Sequence, residues 1–399
     1  MKLIKVIEEC GQKTSQIGTY RARNGEEIQV GFHTQSPITL QSSHDHFFIV
    51  GALAAFLKGE PYHHLGSVSE GLVANFQQLM NQWSDWWQYC PIKITTDTSE
   101  YSKITMPNRN VGCLMSGGVD SLFTAILADS EIGSFVNLIH CDRNDSQTHL
   151  HRQHSELTSL ASLLDKDLHF VETNIMTAFQ EIEDVWSSVT HGPCMAAVGH
   201  FLSSELSSLY ISASFSESQM RPWGSHPTTD KWLSSDSLEF KHTGTAFNRL
   251  EKHKLIAQKS ELLNYLSVCE NGPQTGEVIN CSNCQKCLRS MITLDLLDFD
   301  RTKAPTFDWS DYHPKKLQRF LLQGAVNCTE LLSFAEQTGR DDIAEILRDV
   351  IKYSDQHRWI VRCEMFIRRR FNWLLKYKTT LKRIRSATYA VLNIRTRRF

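Results

Sequence analysis

The sequence predicts an α/β protein: a doubly wound parallel sheet, preceded by a small N-terminal α+β domain and followed by a helical C-terminal region. Three observations carry this. Four short apolar runs, at 111–115, 135–140, 168–172 and 208–212, alternate with helical patterns, as successive β-α units of a parallel sheet do. The first run leads straight into the glycine-rich turn Ser116-Gly117-Gly118-Val119-Asp120-Ser121 and a helix. From about residue 301 the pattern becomes helical. The boundaries expected are 1–105, 106–300 and 301–399.

In order along the chain, Glu27–Phe32 and Pro37–Leu40 have strand character, and Asp45–Lys58 reads as a helix stopped by Gly59. Ser67, three residues before Glu70, predicts a capping box opening a helix over 71–88. Trp83, Trp86 and Trp87 on that helix are expected to pack in a core. Cys90–Thr96 supplies another strand. Within the parallel sheet, helices are expected over 121–128, 154–164 and 194–208, and beyond it over 314–322, 328–338 and 341–353. His149, His151 and His154 read as an exposed helix start.

Composition excludes several classes. The 399 residues are 41% apolar and 22% charged, which fits a globular chain. No apolar run is long enough to span a bilayer, and Glu8 and Glu9 interrupt any signal-peptide pattern, so a cytoplasmic location is expected. The formal charge of −2 conceals an asymmetry: residues 351–399 hold fourteen Lys/Arg and two acids, leaving the remainder strongly acidic. Such a tail suits a nucleic acid or protein partner, or an internal dock. Its apolar residues, from Trp359 to Leu375, predict an amphipathic helix, with a basic arm over 380–399.

The 116–121 turn carries the chemistry. Glycines allow close approach of a polyanion, a helix N-terminus presents N–H groups, and the Ser116 and Ser121 hydroxyls can donate to phosphate oxygens. Asp120 would repel bare phosphate but suits Mg²⁺ held against it. Farther on, Cys269, Cys281, Cys284 and Cys287 have the spacing C-x11-C-x2-C-x2-C. Four thiolates satisfy tetrahedral Zn²⁺ in a structural site, with an iron–sulfur cluster or free thiols as alternatives. Arg221–Asp230, Lys241–Gly244 and Arg249–Lys252 form a polar constellation, in which Ser225, His226 and Asp230 are candidates for acceptor binding or proton handling; a plain polar loop is the alternative.

The SGGVDS turn resembles the signature of the PP-loop ATP pyrophosphatase superfamily. With the cysteine cluster followed by Leu288-Arg289, the chain looks like 7-cyano-7-deazaguanine synthase over roughly residues 110–295. The resemblance implies an adenine nucleotide alpha hydrolase-like sheet, ATP, Mg²⁺ and zinc. It further implies cleavage of ATP to AMP and pyrophosphate, adenylation of a carboxylate-like acceptor and transfer to ammonia or an amine. It assigns nucleotide contacts to Ser116, Gly117, Gly118, Val119, Asp120 and Ser121, with His140, Asn174 and Gly192 as further pocket candidates. Lys252 matches the family lysine and Arg249 would share its charge role, whereas Lys254 stands where the family has a glutamate. Other readings are a tRNA-modifying relative, a protein-modifying relative in a bacterial defence system, and a non-catalytic nucleotide-binding scaffold.

Overall fold

The computed structural model describes residues 1–97, 108–140, 147–269, 278–320, 326–357 and 359. It divides into two compact units, Met1–Phe247 and Asn248–Phe399. Among the described residues the first unit contains ten strands: β1 (Lys2–Cys10), β2 (Thr14–Arg21), β3 (Glu27–Thr34), β4 (Tyr62–His64), β5 (Ile94–Thr96), β6 (Asn110–Leu114), β7 (Ser134–His140), β8 (Asp167–Thr173), β9 (Leu206–Ser212) and β10 (Glu239–Thr243). Its helices are α1 (Asp45–Lys58), α2 (Glu70–Trp87), α3 (Val119–Leu127), α4 (Gln147–Leu163), α5 (Gln180–Asp184), α6 (His191–Phe201) and α7 (Pro227–Asp230).

All ten strands lie in one sheet, ordered β10-β9-β6-β7-β8-β3-β2-β1-β4-β5. The five strands from β10 to β8 are parallel. Their order steps outward from β6 through β7 to β8, then crosses back to β9 and β10. That reversal is the topological switch point of a doubly wound sheet, and it falls between β6 and β9.

Alternation along the strands explains the two layers. Val136, Val171, Leu209 and Ile211 join the core shared with α1, α2 and α6. Phe170 points the other way, where His154 of α4 stacks on it at 4.0 Å. Helix α1 is buried from Asp45 to Phe56, so it is apolar on nearly every face rather than striped. Trp83 is completely buried, while Trp86 and Trp87 pack partly buried against the same core.

Several expectations change. The N-terminal strands do not form a separate domain: β3 pairs antiparallel with β8 through Phe32 and Thr173, extending the sheet across the boundary expected at 105/106. The boundary near 300 is replaced by one at Phe247/Asn248. Strands β1 and β2 escape a sequence reading because neither alternates cleanly: β1 buries only Leu3 although Ile4, Val6 and Ile7 are also apolar, and β2 buries the polar Thr14, Gln16 and Thr19. Pro37–Leu40 is not a strand; the Ile38 N–H donates to Thr14 Oγ1 instead of to a ladder partner. The cap of α2 is Ser69, not Ser67. Ser69 Oγ accepts from Leu72 N at 3.2 Å and donates to Asp236 at 2.7 Å.

The second unit holds α8 (Arg249–Gln258), α9 (Gln285–Leu296), α10 (Val326–Gln337) and α11 (Asp341–Gln356). Its core gathers Leu250, Leu288, Ile292, Leu331, Ile343 and Leu347 from these four helices. The helix expected over 314–322 is a 3-10 turn, Pro314–Arg319. Trp359 is exposed, and the rest of the basic tail, from 360 onward, lies outside the described residues.

Candidate functional site

The 116–121 turn connects the carboxyl end of β6 to the N-terminus of α3, at the switch point. Gly117 has φ 72°, in the left-handed region that glycine enters without strain. Gly118 is the extended N-cap of α3, and no side chain caps the helix. The first turn of α3 therefore presents N–H groups that have no intrahelical acceptor. The hydroxyls fix the turn from within: Ser121 Oγ donates to Gly118 O at 3.1 Å and accepts from Ser116 N at 3.4 Å, while Gly118 N donates to Ser116 Oγ at 3.3 Å. Ser116 is exposed, and Asp120, on the first turn, is half-buried. Beneath the loop, Asn137 of β7 donates to Met115 O at 2.7 Å. The other amide atom of Asn137, Oδ1, is buried without a hydrogen-bond partner.

On the far side of β9, two glycines bring two backbones together. A Cβ on Gly192, at the start of α6, would lie 2.0 Å from Gly224 O, and one on Gly224 would lie 2.4 Å from Val189 O. Gly192 is thus needed for close packing of 189–192 on 223–225. Trp223 beside it meets His191 and Phe215 edge-on, and the Arg221 guanidinium lies 4.3 Å above the Phe215 ring.

Asp230 organises the next segment. It is fully buried and accepts from Ser225 Oγ at 2.7 Å, from the His226 N–H at 3.0 Å and from His242 Nδ1 at 2.7 Å. His226 caps α7 by accepting from Thr228 N, and its ring packs 4.8 Å from Trp86. Burial lowers its pKa. Ser225, His226 and Asp230 are brought together as expected, but Asp230 and Ser225 serve as a buried clamp rather than as groups presented to an acceptor. Sequence reasoning missed His242 as the partner: it sits on β10, a strand not recognised because Glu239 and Lys241 alternate with Phe240. The Asp230 carboxylate fixes the Nδ1–H tautomer of His242 and leaves Nε2 as the ring's other polar atom.

Asn174 is the clearest correction. Its Oδ1 accepts from Gly31 N at 2.9 Å and its Nδ2 donates to Gln29 O at 3.0 Å. The side chain staples the end of β8 to the β3 backbone, and both its polar ends are used there. His140 closes β7, and the residues that follow it, 141–146, lie outside the described ones.

In the second unit, Lys252 of α8 is buried, with 2% of its surface exposed, and Arg249 lines a cavity. The Lys254 ammonium lies over Phe334 at 4.2 Å. The four cysteines converge: their sulfurs all lie within 4.8 Å of one another. Cys281 and Cys284 sulfurs lie 4.0 and 3.4 Å from that of Cys287. Zinc–sulfur bonds of about 2.3 Å in a tetrahedron place sulfurs roughly 3.8 Å apart, so the set fits one central ion. A polynuclear iron–sulfur cluster would spread the sulfurs over several irons. Hydrogen bonding with Cys269 lowers the Cys281 thiol and raises that of Cys287. The cluster can hold a metal such as zinc.

Asn280 builds this knuckle, another residue the sequence reading passed over. Completely buried, it accepts from Val268 N at 2.8 Å and donates to Leu266 O and Thr306 O. Its side chain thereby ties the strand of chain before Cys269 to that before Cys281. Ser282, at φ 54°, turns the backbone, and its hydroxyl accepts from Asp308 N at 2.7 Å. Among the described residues, no helix is long and apolar enough to cross a membrane. Comparison of the chain with protein-family models, with curated proteins and with solved structures gives no match in any of the three.

Proposed function

We propose that this protein is an ATP-dependent enzyme that forms AMP and pyrophosphate, adenylating a carboxylate-like acceptor and passing it to ammonia or an amine. The observation that carries the reading is a loop of two glycines and two serines at the switch point, opening a helix without a side-chain cap. Such a loop suits a triphosphate: the first N–H groups of α3 have no intrahelical acceptor, and Gly117 keeps the backbone low enough for contact. The half-buried carboxylate of Asp120 on the same turn fits Mg²⁺, which when bound neutralises charge on the departing pyrophosphate.

In this chemistry an acceptor carboxylate oxygen attacks the α-phosphorus. The bond from that phosphorus to the bridging oxygen breaks, and pyrophosphate leaves with the electron pair. The amine nitrogen then attacks the acyl carbon, AMP departs with the C–O electron pair, and the nitrogen loses its proton. The loop's share is to hold the β- and γ-phosphates and to stabilise the leaving charge. Ser116 and Ser121 lock the loop in shape before substrate arrives, so no reorganisation is needed at the moment of bond breaking. His242, whose Nδ1 is held by Asp230, is the residue we assign to take the amine proton, at Nε2.

Pyrophosphate and AMP release from ATP, assayed across a panel of small carboxylates with ammonia present, tests the reading. Asp120→Ala should lower the rate by roughly a hundredfold or more, the scale on which removing a charge-stabilising group acts. Equal rates for the two proteins, or ADP and orthophosphate as products, would overturn it.

A further inference from the structure

Ser225 and Asp230 are committed to a buried clamp, so the acceptor in the proposed reaction needs another partner. The chain between β9 and that clamp supplies one. Strand β9 runs parallel to β6 with Tyr210 opposite Cys113, which sets Ser212 level with Met115. Adjacent strands lie about 4.8 Å apart. The 116–121 loop and the chain from Ala213 to Trp223 therefore leave neighbouring strands at the same height, on the same edge of the sheet. An acceptor attacking a nucleotide on that loop has this chain beside it.

Arg221 is the one cationic residue between Ala213 and Trp223, and it is exposed. Its guanidinium carbon lies 4.3 Å from the centre of the Phe215 ring and 5.4 Å from that of Trp223, and the two rings stand at 82° to each other. The guanidinium thus sits in a corner between two aromatic walls. The corner is itself fixed: Trp223 meets His191 edge-on at 5.8 Å, and Ala213 N donates to Thr243 O and Glu217 N to Thr245 O, both at 2.8 Å. Stacking uses the flat face of a guanidinium and leaves its N–H rim for a hydrogen-bonding partner. Among the described residues, Arg221 makes no hydrogen bond and no ion pair. Arg109 of the same unit provides the contrast, since its Nη1 donates to Ser203 O, Leu206 O and Ser237 O. One arginine is taken up by the fold, whereas the other is held in place with its donors open. Partial burial lowers the Arg221 pKa, so part of its hydration is already gone.

We infer that Arg221 binds the carboxylate of the acceptor. The inference rests on the ATP-dependent reading, in which a carboxylate approaching a triphosphate meets like charge and needs a cation beside it. A carboxylate held through one oxygen by the Arg221 rim keeps its other oxygen for attack on the α-phosphorus. The competing explanation is that Arg221 stacks on Phe215 and Trp223 only to stiffen the chain, with no ligand at its rim.

The experiment titrates the full-length protein by calorimetry with acetate, benzoate and succinate, each compared with its uncharged amide. It is run without nucleotide and again with Mg²⁺ and α,β-methylene-ATP, which resists cleavage between the α- and β-phosphates. Saturable binding of a carboxylate and not of its amide is expected. Arg221→Gln should weaken that binding by about tenfold or more with the thermal midpoint unchanged, and Arg221→Lys should recover part of it. On the unmodified protein, the bound carboxylate should slow modification of Arg221 by phenylglyoxal, read by peptide mass spectrometry, which keeps the test valid where a variant misfolds. In turnover, Arg221→Gln should raise KM for the carboxylate and leave KM for ATP within about twofold, a split that a stiffening role would not produce. Absence of carboxylate binding, equal affinity in Arg221→Gln, or unslowed modification overturns the assignment. Arg221-dependent carboxylate binding without AMP formation would keep this site and remove the ATP reading. AMP formation with a carboxylate KM indifferent to Arg221 would do the reverse.

Discussion

The 116–121 loop and the cysteine knuckle are built by opposite means. In the loop, six consecutive residues do everything: backbone N–H groups, one positive-φ glycine and two hydroxyls, all placed by the sheet beneath them. In the knuckle, four side chains separated by up to eighteen positions converge within 4.8 Å, and the backbone follows them. The loop inherits its shape from a large sheet that would exist without it. The knuckle has no sheet beside it among the described residues of the second unit, which form four helices and 3-10 turns. The fold therefore supports the first site, whereas the second supports its fold.

Metal removal is the largest test of that contrast. Structural zinc contributes about 10–16 kcal/mol of apparent binding free energy in small domains, as much as the roughly 5–15 kcal/mol that holds a whole domain folded. Chelation, or Cys284→Ser, should unfold the second unit and leave the ten-stranded sheet intact. Elemental analysis together with hydrogen exchange on each unit would read this out. Persistent protection of α8 to α11 in metal-free protein would show that the helices stand alone.

Next in size is Gly192→Ala. The new methyl group would lie 2.0 Å from Gly224 O and 2.8 Å from Gly224 C, both backbone atoms that cannot rotate aside. A cost of about 3 kcal/mol is expected from such overpacking. Gly11, where a Cβ meets nothing within 4 Å, provides the control. Denaturant unfolding should separate the two variants; a Gly192→Ala protein as stable as Gly11→Ala would mean that the wall beside β9 yields easily.

What could be read from sequence follows the same division. The parallel strands and the loop were legible because apolar runs and a glycine turn are local signals. The cysteines were legible through their spacing. What failed was long-range: nothing near Asn174 announces that its amide will bridge to Gln29 and Gly31, because those partners lie more than 140 positions away. Asp230 likewise looked available for substrate until Ser225 and His242 were seen to occupy it. Strands β1 and β2 were hidden because β1 leaves Ile4, Val6 and Ile7 unburied while β2 buries polar residues. The ATP and carboxylate reading still rests on the loop and on the resemblance to PP-loop enzymes.

The smallest stability effect comes with the sharpest functional one, at Gly117. Alanine at φ 72° costs about 1–2 kcal/mol, since a Cβ crowds the following carbonyl in the left-handed region. The sheet should absorb that cost, leaving unfolding cooperative and only slightly shifted. Turnover should respond much more, because relaxing Gly117 towards negative φ rotates the adjoining N–H groups away from a phosphate and disturbs the Ser116–Ser121 lock. Measured together, a denaturant midpoint close to that of the unmodified protein and a pyrophosphate-release rate reduced at least tenfold would separate a loop shaped for a ligand from a turn shaped for the chain. If stability and rate fell in proportion, Gly117 would serve the strand-to-helix connection alone, and the loop would have no more claim to function than any other glycine turn.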